Sequence, residues 1–178
     1  MINLKLVPVI FPDDEQLDPL IRLYTESFPP VERRSEDQLR QMIGHEQMDF
    51  IALHADGRLS GFLIWWNFVS FGYIEHFAVF PKFRCSRIGT EALQRIRTKA
   101  QKTLLEADQP FDEMSERRIG FYRRNGFEII DKHYIQPPYR ENGTSVSMYL
   151  LSDFHHWRED ELDAAVESLR KEVYFNYH

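Results

Sequence analysis

The spacing of apolar residues along the chain changes between the strand period and the helix period, and those changes mark the elements. Met1 to Phe11 is apolar and β-branched enough for a first strand. Asp13 and Asp14 then offer an N-cap and first-turn negative charge, and Leu17, Leu20, Ile21 and Tyr24 follow at helical spacing. The pattern predicts a helix from Asp14 to Phe28, stopped by Pro29-Pro30. Ser35 opens a second helix with Leu39, Met42 and Ile43 on one face, and Ser35-Glu36-Asp37-Gln38 has the form of a capping box. Three strands follow: Asp49 to Ala55, Leu59 to Val69 after a tight Asp56-Gly57 turn, and Tyr73 to Phe80. The third is largely apolar on both faces, as a buried central strand is. A helix is predicted from Ile88 to Lys102, a short strand from Thr103 to Ala107, and a helix from Asp112 to Asn125 with Gly126 as a left-handed cap. Strands Phe127 to Ile135 and Ser145 to Leu151 and an amphipathic helix, Glu159 to Val173, complete an α/β arrangement around a mixed sheet.

Length and composition narrow the function classes. At 178 residues the chain is one domain, with residues 152–178 as a C-terminal helical extension. A hydrophobic share of 43% and an aromatic share of 14% mark a globular chain. The longest apolar run, Phe62 to Trp66, is far short of the roughly 20 residues of a membrane span, so no membrane partner is expected. The N-terminus lacks the layout of a signal peptide, and a single cysteine suits a reducing cytoplasm. The net charge of −6 argues against a nucleic-acid partner. His155 and His156, with Asp153 and Glu159, lack metal-ligand spacing, so no metal is expected.

Against that acidic background, FPKFRCSRIGTEAL places two arginines where the third strand turns into a helix. The first N–H groups of a helix have no partner within it, and the helix dipole is positive there. Arg84, Cys85, Ser86, Arg87, Ile88, Gly89 and Thr90 therefore form a candidate anion site, with guanidiniums that contact phosphate in pairs of bonds. The plainer alternative is that Arg84 and Arg87 are solvated surface arginines. Cys85, beside arginines at a helix start, can also be a reactive thiol, although no spacing nominates a histidine partner.

Two segments carry a family resemblance. Arg84-Cys85-Ser86-Arg87-Ile88-Gly89 resembles the acetyl-CoA loop of the GNAT acetyltransferases, whose pattern is Arg/Gln-x-x-Gly-x-Gly/Ala. Phe121, Tyr122, Gly126 and Phe127 resemble the family's Phe-Tyr-x-x-x-Gly-Phe element. The loop departs from the pattern at Arg87, where the family has glycine, and at Cys85, where it often does. The resemblance implies a GNAT-like mixed, mostly antiparallel sheet flanked by helices, the acyl-CoA N-acyltransferase fold. It implies acetyl-CoA as co-substrate, with its pantetheine arm beside Phe77, Ala78 and Val79.

Acetyl transfer to an amine requires a neutral amine, stabilisation of the carbonyl oxygen and a proton for the leaving thiolate. Glu75, a lone acid on an apolar strand, is the candidate base; the alternative is a carboxylate satisfied by an arginine. Strand alternation sends the adjacent His76 to the opposite face, as a core histidine. Tyr122 is the candidate acid, or else a packed core tyrosine. The resemblance places the acceptor among residues 27–34 and 132–140, where Glu32, Tyr134 and Tyr139 can receive an amine. The expected activity is N-acetylation of a primary amine on a small molecule or peptide by direct attack. The alternatives are a GNAT-like module that binds acyl-CoA without turnover and a purely structural domain.

Overall fold

The protein, described over residues 2–175 by a computed structural model, has a single eight-stranded sheet. Met1 of the expected first strand and residues 176–178 of the C-terminal extension lie outside the described residues. The strands are β1 (Leu4–Val9), β2 (Met48–Ala55), β3 (Arg58–Asn67), β4 (Gly72–Val79), β5 (Thr103–Asp108), β6 (Glu128–Asp131), β7 (Ile135–Gln136) and β8 (Val146–Ser152). The helices are α1 (Leu17–Ser27), α2 (Glu36–Met42), α3 (Ile88–Arg97), α4 (Glu113–Arg124) and α5 (Glu159–Ser168). The sheet order is β1-β2-β3-β4-β5-β8-β6, with β7 paired to β8 off that path. Its paired strands are antiparallel except β4 and β5, which run parallel. This is the mixed, mostly antiparallel sheet flanked by helices that the resemblance implied.

Local chemistry explains most boundaries. Ser35 Oγ accepts from the Gln38 amide at 3.2 Å, and Gln38 Oε1 accepts from the Ser35 amide at 2.9 Å, which closes the expected capping box on α2. Asp112 and Ser115 make the corresponding pair on α4. Asp56 and Gly57 both have positive φ, 50° and 77°, as the two-residue hairpin between β2 and β3 demands. The strand expected over residues 127–135 is instead two pieces. Asp131 Oδ1 accepts from the His133 amide at 2.7 Å and turns the chain between β6 and β7. The last helix changes to π-helical geometry over Leu169–Phe175.

Each sheet face buries its own cluster. Leu20, Tyr24, Leu39 and Met42 of α1 and α2 pack on one face with Phe50, Phe62, Trp66 and Tyr73. Ala165, Leu169, Val173 and Tyr174 join the same cluster, so the C-terminal extension is part of that layer. Ile88, Ala92, Leu93 and Ile96 of α3 and Ile119 and Tyr122 of α4 cover the other face. No helix among the described residues is long and apolar enough to cross a membrane.

Two features of β4 build the site. Its ladder with β5 covers only three pairs, Gly72 with Thr103, Tyr73 with Leu104 and Ile74 with Leu105, and beyond them the two strands are no longer partners. Its ladder with β3 slips at the same level: Trp65 opposes Ile74 and Ile64 opposes His76, so Glu75 is an extra residue. That is a β-bulge at a strand fork.

Candidate active site

The bulge overturns the expected alternation at residues 75 and 76. With Glu75 inserted, both side chains lie on the face covered by α1 and α2. His76 packs edge-on against Tyr24 and Phe28, and its Nδ1 is 3.7 Å from Glu75 Oε1. Strand periodicity failed there because a bulge adds one residue to one strand and reverses the facing beyond it.

Glu75 is buried, and both carboxylate oxygens are engaged. Arg34 Nη1 donates to Oε1, and Trp66 Nε1 donates to Oε2 at 2.6 Å. Arg34 is itself 2% exposed, donates to the Val173 carbonyl, and lays its guanidinium over the Tyr139 ring at 4.8 Å. The pair fastens the α1–α2 connection to β4 and the C-terminal segment, and the Arg34 amide, which donates to Tyr24 Oη at 2.8 Å, ties in α1. His76 donates from Nε2 to the Glu32 carbonyl at 3.0 Å, which assigns the tautomer and leaves Nδ1 as a bare acceptor. Burial lowers its pKa to about 3, with Arg34 and Arg33 adding to that and the Glu32 bond opposing it, so the ring is neutral.

Just past the fork, β5 presents Glu106, which the sequence reading passed over. Tyr134 Oη donates to its Oε1 at 2.6 Å, Gln136 Nε2 to Oε2 at 2.7 Å and Tyr174 Oη to Oε2 at 2.8 Å. Burial pushes the Glu106 carboxyl above its ordinary value, and these donors pull it back. Its signal was legible: TLLEAD carries a lone acid in an apolar strand, the same signal that singled out Glu75.

The three expected acceptor residues have different surroundings, although Tyr134 and Tyr139 both adjoin the Glu106 cluster. Tyr134 belongs to the Glu106 cradle. Glu32 is half-buried beside Asp108, which receives a bond from Arg118 Nη1; burial and Asp108 push Glu32 up to about 7, while Arg118 opposes. Tyr139 packs under Arg34 and lines a small separate cavity with Pro30, Val31 and Pro138.

Two adjoining cavities meet along β4. The first, about 550 Å³, is lined by Phe77, Ala78 and Val79, by the loop from Phe83 to Thr90, and by Tyr122, Arg124 and Asn125. The second, about 580 Å³, shares Phe77, Ala78, Val79 and Tyr122 and adds Glu26, Phe28, His76 and Glu106. Tyr122 thus borders both, and burial pushes its phenol up to about 12, so it holds its proton at neutral pH.

The loop answers the question its sequence raises. Cys85 (φ 62°) and Arg87 (φ 67°), at positions where glycine is usual, both adopt the left-handed conformation that glycine favours. The turn therefore keeps its shape without glycine. Glu91 N donates to Arg87 O at 3.0 Å as the first bond of α3, so the amides of Ile88, Gly89 and Thr90 stand outside the helical ladder. Arg84, Arg87 and Arg124, all exposed, ring that mouth of the cavity. Gly89 serves packing, because a Cβ there would lie 3.1 Å from Phe121 Cζ. No group of three or more His, Cys, Asp or Glu suited to a metal occurs among the described residues.

A forked central strand with a bulge, facing a helix-start loop, defines an acyl-CoA-binding transferase fold. The model of the acetyltransferase (GNAT) family matches residues 17–127, and the chain belongs to that family. A structure described as a GNAT-family acetyltransferase from Bacteroides thetaiotaomicron shares 31% identity over 96% of this chain and 98% of its own, with a TM-score of 0.86. A GNAT acetyltransferase from Elizabethkingia anophelis with acetyl-CoA bound shares 20% identity, covers 84% of this chain and 97% of its own, and has a TM-score of 0.58. The ribosomal-protein-S18-alanine N-acetyltransferase from Escherichia coli shares 15% identity over 88% and 97%, with a TM-score of 0.61. No curated protein matches the chain.

Proposed function

We propose that the protein is an acetyl-CoA-dependent N-acetyltransferase that acts on a primary amine of a small molecule or peptide by direct attack. The observation that carries this is the left-handed pair Cys85 and Arg87, which shapes the loop over a cavity that continues past Phe77–Val79 to an acceptor side. Acetyl-CoA, when bound, supplies an acetyl group on a thioester.

The residues fit such a co-substrate. The amides of Ile88, Gly89 and Thr90 and the guanidiniums of Arg84 and Arg87 suit a pyrophosphate, and Cys85 and Ser86 shape the turn between them. Beyond the bulge, Phe77, Ala78 and Val79 of β4 are free of β5 and border both cavities, which suits the binding of an extended arm. Tyr122 Oη is the proton donor for the departing thiolate. A phenol at about 12 keeps its proton at neutral pH, so its O–H is available to donate to the sulfur as negative charge develops there during C–S cleavage.

Glu75 takes a structural role in this account: it anchors the bulge through Arg34 and Trp66. Accepting a proton would leave the buried guanidinium without its counterion. The fold neighbour from Escherichia coli is named for acetylating an alanine of a ribosomal protein, which makes a peptide amine one acceptor class to test. The free, exposed Cys85 suits a reducing cytoplasm.

Calorimetric titration with acetyl-CoA, followed by free-thiol release across a panel of amines, tests the proposal. Binding with amine-dependent thiol release supports it. Binding without release favours a module that holds acyl-CoA and does not turn it over.

A further inference from the structure

Four groups that could take a proton line the acceptor-side cavity: Glu26, Glu75, His76 and Glu106. Three are poorly suited to the task. Glu26 is exposed at the rim. Glu75 is neutralised by Arg34. His76 is held neutral and gives its N–H to the Glu32 carbonyl.

Glu106 differs from all three. It is half-buried and borders the cavity. Its hydrogen-bond partners Tyr134, Gln136 and Tyr174 are neutral donors, the adjoining Tyr73 phenol is neutral too, and no ion pair to it occurs among the described residues. A carboxylate held in this way is oriented but its charge is not compensated. What it lacks is a cation, and an amine acceptor reaches the site as an ammonium. Its place on the fold also fits. It is the first residue of β5 beyond the last pair with β4, so it stands where the two strands part, in the cavity that Tyr122 also lines.

We infer that Glu106 is the carboxylate that receives the acceptor as a primary ammonium and takes its proton, with Tyr134, Gln136 and Tyr174 as positioning residues. This rests on the N-acetyltransferase reading. Glu106 takes one proton from the ammonium, and the nitrogen lone pair forms the N–C bond to the acetyl carbon. The C–S bond breaks, and the thiolate takes a proton from Tyr122, which solvent restores. Glu106 passes that first proton to solvent and, ionised again, relays the one further proton that the nitrogen loses after attack; the amide keeps the third, and one proton is released overall for each acetyl group moved.

The positioning residues lie past residue 127, where the family match ends. Tyr174 comes from the π-helical end of the chain and also meets Tyr73 Oη at 3.0 Å. The C-terminal segment is in this way the outer wall of the proton-accepting group. The groups that face Glu106 are Tyr73 of β4, Tyr134 and Gln136 of the β6–β7 region, Tyr174, and Tyr139 under the Arg34 guanidinium. Across the cavity stand His76, Arg118 and Tyr122.

The sign of the pH effect follows from those partners. Each donor favours the ionised carboxylate, so removing one raises the Glu106 pKa. Activity needs Glu106 ionised, so the acidic limb of kcat/KM moves to higher pH.

The test uses the full chain, acetyl-CoA and a panel of primary alkylamines and peptide N-termini. Glu106→Gln is expected to lower kcat about a hundredfold or more, with acetyl-CoA affinity within about twofold of wild type. Tyr174→Phe is expected to move the acidic limb of kcat/KM upward in pH while keeping most of the plateau rate. It reads the same role if Glu106→Gln does not fold. Normal turnover in a folded Glu106→Gln, or an unmoved limb in Tyr174→Phe, overturns the inference and leaves the N-acetyltransferase reading standing. A wild type that binds acetyl-CoA but transfers to no amine overturns that reading instead.

Discussion

Replacing Arg87 with glycine separates two effects that one residue combines. Arg87 is the N-cap of α3 and sits at φ 67°, ψ 0°. A residue with a Cβ loses about 1–2 kcal/mol in that region, and glycine does not. Glycine also has more freedom to lose on folding, which offsets roughly 0.5–1 kcal/mol, so the expected gain in stability is about 0.5–1 kcal/mol. For a domain of this size about 1 kcal/mol corresponds to about 2–4 °C in Tm. The guanidinium is exposed and borders the coenzyme cavity. A charge-assisted bond to phosphate is worth about 1.5–3 kcal/mol, and exposure puts this one at the lower end, about tenfold in Kd. The backbone strain belongs to the loop conformation itself, so it enters stability and cancels from binding. Arg87→Gly should therefore melt about 1–4 °C higher and bind acetyl-CoA about tenfold more weakly at low salt, with the gap narrowing as salt screens the charge. Differential scanning calorimetry and isothermal titration at two salt concentrations read both quantities. A variant that binds more tightly at every salt concentration would show that the side chain obstructs the site and refute the argument.

The remaining predictions concern the supports and the acid. Arg34→Met leaves Glu75 buried without its cation and should cost about 3–5 kcal/mol in urea unfolding, whereas a change under about 1 kcal/mol would show that the pair is dispensable. A Cβ on Gly61 would lie 2.3 Å from the Ala78 carbonyl oxygen, so Gly61→Ala should lose about 1–3 kcal/mol and weaken acetyl-CoA binding by shifting β4; equal stability and affinity would contradict this. Tyr122→Phe removes one hydroxyl and little packing, and should lower turnover about ten- to a thousandfold with Kd for acetyl-CoA nearly unchanged. Normal turnover in that variant would make Tyr122 a core aromatic only.

Short-range signals carried much of the fold. The capping box at Ser35, the Asp56-Gly57 hairpin, the left-handed Gly126 and the apolar β4 depend on neighbours within a few residues, and each was readable along the chain. What escaped depends on distance. Both faces of β4 are apolar, so its pattern has no phase to reveal an inserted residue, and the bulge at Glu75 is visible only against β3. The arginine that engages Glu75 lies 41 residues away in sequence, and its other anchor, the Val173 carbonyl, lies 139 away. The motif residues Arg84 to Thr90 and Tyr122 converge on one cavity as the family pattern implies. The Glu106 cradle escaped because its donors come from the β6–β7 region and the π-helical C-terminal segment, 28, 30 and 68 residues on.

Amine-dependent transfer from acetyl-CoA is the central claim, and one measurement addresses it directly. The protein is mixed with isotopically labelled acetyl-CoA and a pool of primary amines, free thiol is followed in time, and the products are weighed by mass spectrometry. The account predicts thiol release that requires an amine, matched mole for mole by label on a primary nitrogen. Tight binding of acetyl-CoA with no amine-dependent thiol and no labelled amine would contradict it.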